Sequence, residues 1–71
     1  MSITIQQTEK LLKSNRSFSQ LGFSLMLTRL RGLYSKDSSQ SMLKSCMDEI
    51  NFFLEKFEGI MGDEYAIITK I

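Results

Sequence analysis

Seventy-one residues with one cysteine, no histidine and no proline make room for one small domain spanning residues 1–71. At that length a single core is marginal, and two common remedies are excluded: one thiol cannot form an internal disulfide, and one thiol without histidine cannot hold a structural zinc. The remaining remedy is association with a second polypeptide, with a tightly packed monomeric bundle as the alternative.

A net charge of +1 lacks the basic excess of a nucleic-acid-binding module. No stretch approaches the roughly 18 to 20 apolar residues of a membrane span. MSITIQQTEK lacks the basic and apolar runs of a secretory signal, so the expectation is a soluble cytoplasmic protein with no membrane contact. The charge is unevenly distributed. Residues 1–36 hold six cations against Glu9, a net +5, and residues 37–71 hold three lysines against seven carboxylates, a net −4. Two halves folded onto each other as an antiparallel hairpin would pair those charges across its flanks.

In chain order, Thr4 with Gln7 three residues on reads as a capping box for a first helix, IQQTEKLLK, burying Ile5, Leu12 and Leu11. The alternation of Ser2, Ile3, Thr4 and Ile5 offers a short β segment as the competing reading. Ser14-Asn15-Arg16-Ser17 reads as a soft break, after which Ser17 and Gln20 can start a central helix. Without proline or glycine in that break, the two helices could also run on continuously.

The central stretch, Phe18 to Tyr34, is apolar on two sides when wound at about 100° per residue. Phe23, Met26, Leu27, Leu30, Leu33 and Tyr34 cover one broad face, and Phe18, Leu21 and Leu25 cover a second. Gln20, Ser24, Thr28 and Arg31 mark the arc suited to water. Gly22 and Gly32 each cost about 1 kcal/mol relative to alanine in a helix interior, unless a neighbour approaches closely.

Ser35 to Ser39 is the clearest turn, with Asp37 and Gln40 as a further capping box. The next helix, Gln40 to Met61, carries Leu43, Cys46, Met47, Ile50, Phe53, Leu54, Phe57, Ile60 and Met61 on one stripe, with Asn51 and the charged residues opposite. Phe52 falls outside the stripe. Gly62 is the expected C-terminal cap. The tail, DEYAIITKI, has the composition of a strand, yet Asp63 could equally cap a short last helix. The expected fold is all-α: an antiparallel helical hairpin plus a short N-terminal helix, as a three-helix bundle or half of a dimeric bundle, with an ambiguous C-terminal tail.

Little of the residue inventory points to catalysis, and the chain is read as no enzyme, without cofactor or metal. Cys46 lies in an apolar stripe, with neither a histidine nor an adjacent base to activate it. Asp48-Glu49 and Glu55 with Glu58 read as a solvated face. Gly59-Ile60-Met61-Gly62 matches the GXXG of RNA-binding KH loops only in its glycines, since its middle residues are apolar and two carboxylates follow. A small nucleic-acid-binding regulator using Arg16, Arg29 and Arg31 is the alternative function, although Arg29 and Arg31 point well apart. In the bland reading of those two, Arg31 is solvated and Arg29 snorkels or pairs with a carboxylate of the Gln40–Met61 helix.

The favoured reading is a protein–protein interaction module, working as a homodimer or on a protein partner, in the manner of small helical adaptors, chaperones and regulators. Its expected interface is Phe23, Met26, Leu27, Leu30, Leu33 and Phe52, more apolar surface than one antiparallel helix covers.

Overall fold

The computed structural model describes residues 2–71, with Glu58 described by its backbone alone. Four helices follow one another: α1 (Ile5–Lys13), α2 (Leu21–Lys36), α3 (Gln40–Met61) and α4 (Asp63–Thr69). Helices α1, α2 and α3 pack mutually, and α4 folds back onto α3. Among the described residues no strand forms. The fold is an all-α bundle.

Helix α1 starts where the capping box predicts. The Thr4 hydroxyl accepts from the Gln7 N–H at 3.1 Å, and the Gln7 side chain accepts from the Thr4 N–H at 2.8 Å. Lys10 and Lys13 fall in its last turn, where the helix dipole favours cations. Its buried face is Leu11, Leu12 and Thr8, with Ile5 only half-buried. The Thr8 hydroxyl donates to the Thr4 carbonyl at 2.8 Å, which lets a polar side chain sit fully inside.

Ile3 ahead of the cap is buried without any strand. The Asn51 side-chain amide accepts from its N–H at 2.8 Å and donates to its carbonyl at 3.1 Å, as a neighbouring strand would. Asn51 therefore does not face solvent as its place opposite the α3 stripe predicts.

The break between α1 and α2 is longer than the sequence suggests. Helix α2 begins at Leu21, and its N-cap is Gln20, whose side chain accepts from the Phe23 N–H at 2.7 Å. Phe18 is outside the helix. Its buried ring meets Phe23 edge-on at 5.0 Å, and aromatic pairs favour that arrangement. At the far end Ser39, not Asp37, caps α3 by accepting from the Met42 N–H, while Asp37 accepts from the Ser39 N–H and shapes the turn.

The core is built from Phe23, Leu27, Leu30 and Tyr34 of α2, Leu43, Cys46, Ile50 and Leu54 of α3, Leu11 and Leu12 of α1, and Ile68 of α4. Burying such a side chain contributes about 1.5–3 kcal/mol each. Helix α3 is kinked at Phe57, where φ and ψ leave the helical range. Phe57 and Ile60 are exposed although both lie on the predicted stripe, while Met61 beyond the kink stays buried. Gly62, at φ 57 and ψ −133, ends α3, and the chain turns directly into α4. The tail is therefore helical, and Ile68 closes the core at that end.

Candidate interaction surface

Helix α2 decides which apolar residues remain available to a partner. Phe23, Leu27 and Leu30, half of the predicted interface, are buried in the chain's own core. They cannot contact another molecule without opening the fold. Met26 is half-buried against that core. Of the six residues, Leu33 at 40% and Phe52 at 61% are exposed. The broad face of α2 is thus covered by α1 and α3.

The face left open is the second one. Leu21 is 69% exposed and Leu25 is 63% exposed. They lie one turn apart, in line with Thr28 and Gly32 and on the opposite side of α2 from Phe23, Leu27 and Leu30. The position of Phe18 in the linker removes the third member of that face. The sequence signal was the doubly apolar helix itself; pattern alone does not say which side its own chain covers. Phe52 points away from the α3 stripe, with the Lys56 ammonium 5.4 Å from its ring centroid, a cation–π distance. A third apolar group, Phe57, Ile60 and Ile67, is exposed on the segments either side of Gly62.

Polar side chains around this surface hold the fold. Arg31 is not solvated. Its Nη2 donates to the Leu11 carbonyl at 3.0 Å, the Arg16 carbonyl at 3.2 Å and the Ser14 hydroxyl at 3.4 Å. It adds a second donor to the Leu11 carbonyl, which already accepts from the Ser14 N–H, and ties the linker at Arg16 to α2. Burial lowers its pKa from the ordinary guanidinium value. Arg29 pairs with Glu49 across α2 and α3, and Lys44 pairs with Asp48 along α3 at 3.3 Å. Two of the three arginines proposed for nucleic acid therefore have partners within the chain.

Glu64 of α4 accepts from the backbone N–H of Ser19 at 2.8 Å and of Gln20 at 3.2 Å, tying α4 to the linker before α2. The Ser19 amide first, then the Gln20 amide and Ser19 side chain, hold its carboxyl below the usual range. On the far side, Tyr34 donates to Glu9 at 3.0 Å, and Lys13 sits 3.3 Å from the same carboxylate. Tyr34 first, then Lys13, lower the Glu9 pKa; Glu9 in turn raises that of Tyr34.

No family model, curated protein or solved structure matches the chain. The remaining candidates for chemistry are placed by geometry. Cys46 is fully buried and burial pushes its thiol up, away from the thiolate that reactivity needs. Gly59 to Met61 is the last turn of α3, with Met61 buried, so the GXXG match is helix and hinge instead of a phosphate-gripping loop. The Glu58 side chain lies outside what is described, so its pairing with Glu55 is not assigned. Among the described residues no pocket opens, no group of three metal-ligating side chains converges, and no helix is long and apolar enough to cross a membrane.

Proposed function

We propose that the chain is a non-enzymatic protein–protein interaction module, a small adaptor, chaperone or regulator, that docks a helix of a protein partner or of a second copy on the outer face of α2. Leu21 and Leu25 are the anchors. The observation that supports this is the exposure of two leucines one turn apart on a helix whose opposite face already fills a closed core. Apolar pairs at that spacing are what helix-on-helix recognition uses. A chain whose one cysteine is buried suits a reducing compartment such as the cytoplasm.

The test is a Leu21→Glu/Leu25→Glu double variant, compared with wild type by size-exclusion chromatography with light scattering and by affinity capture from native lysate. The expected result is unchanged helicity with loss of self-association or of the captured partner. A variant that associates and captures as wild type does would refute the assignment of this face.

A further inference from the structure

We propose that α4 is an exchangeable element: the chain can straighten at Gly62 and place its α4 in the α4 site of a second copy, which returns its own, giving a twofold domain-swapped dimer. The inference does not use the outer face of α2, so the two readings fail separately.

The apolar repeat of α3 does not stop where the helix stops. Ile50, Leu54, Phe57, Met61, Tyr65 and Ile68 follow at spacings of 4, 3, 4, 4 and 3, so they share one stripe if the helix runs on through Gly62. The helix kinks at Phe57 and breaks at Gly62, the single residue between α3 and α4. The Gly62 φ of 57 with ψ −133 is a conformation that a residue with a Cβ rarely adopts. Helix α4 has no side-chain cap at its start. Its first N–H groups and the last carbonyls of α3 would bond one another in a continuous helix.

Besides its packing on α3, α4 is seated by contacts with distant parts of the chain, and these can be supplied in trans. Ile68 is fully buried in the core, Glu64 accepts from Ser19 and Gln20, and the Gln7 side chain donates to the Thr69 carbonyl at 3.0 Å. A second copy offers the same groups in the same geometry. Closed monomer and swapped dimer then differ mainly in the hinge conformation and the entropy of association. Short hinges of this kind favour exchange.

Gly62→Ala tests this, because nothing within 4 Å would meet the added methyl and only the backbone conformation is penalised. The expected result is a native helical spectrum with the mass doubled from the 8.2 kDa of one chain. Adding three glycines after residue 62 of that variant should return it to monomer. A helical Gly62→Ala that stays monomeric, or a dimer that survives the longer hinge, overturns the proposal. If Gly62→Ala does not fold, wild type refolded at high concentration decides. A dimer that persists for hours after dilution supports exchange, and monomer alone refutes it.

Discussion

Arg31 and Glu64 both hold the linker of residues 14–20 by bonding its backbone, one from α2 and the other from α4. The Glu64 bonds give a pH dependence. Its folded pKa is depressed, so its contribution is present above the ordinary carboxylate value of 4.5 and is lost as pH falls through the folded value. Because Glu64 is solvent-facing, the effect is modest. The melting temperature of wild type should fall between about pH 6 and about pH 3, and that of Glu64→Gln should fall less steeply over the same range. Parallel curves would show that the two amide bonds contribute nothing. Neither role was legible in the sequence. Arg31 resembles any solvated arginine on a helix until the carbonyls of Leu11 and Arg16 are placed beside it, and those lie 20 and 15 residues away. Asn51, which clamps Ile3 across 48 residues, is the same case.

At the scale of elements, local chemistry specified α1 and α3 well, because a capping box and an apolar stripe act within a few residues. The start of α2 was not legible. Ser17 and Gln20 look like a cap pair, but the ring of Phe18 packs on Phe23 and Glu64 takes the amides of Ser19 and Gln20, so the helix starts later. The tail has strand-like residues yet no ladder partner, and its backbone is satisfied as a helix. The two α2 glycines now separate. A Cβ on Gly22 would approach the capping oxygen of Gln20 at 3.2 Å and the Phe53 ring, whereas Gly32 faces open space. Gly32→Ala should therefore stabilise the protein by up to about 1 kcal/mol. Chemical denaturation checks this; a loss of stability would contradict the open space beside Gly32.

At the scale of the whole molecule, α2 is apolar on two sides and the chain covers one of them. The candidate surface was half legible: the sequence identified the helix, but choosing its open side requires knowing where α1 and α3 lie. Urea denaturation of Leu27→Ala beside Leu25→Ala, at low micromolar concentration, tests this division most directly. A buried leucine cut to alanine costs about 2–5 kcal/mol, and an exposed one stays within about 0.5 kcal/mol of wild type. The account predicts the large loss at Leu27 and the small one at Leu25; equal losses, or the larger loss at Leu25, would contradict it.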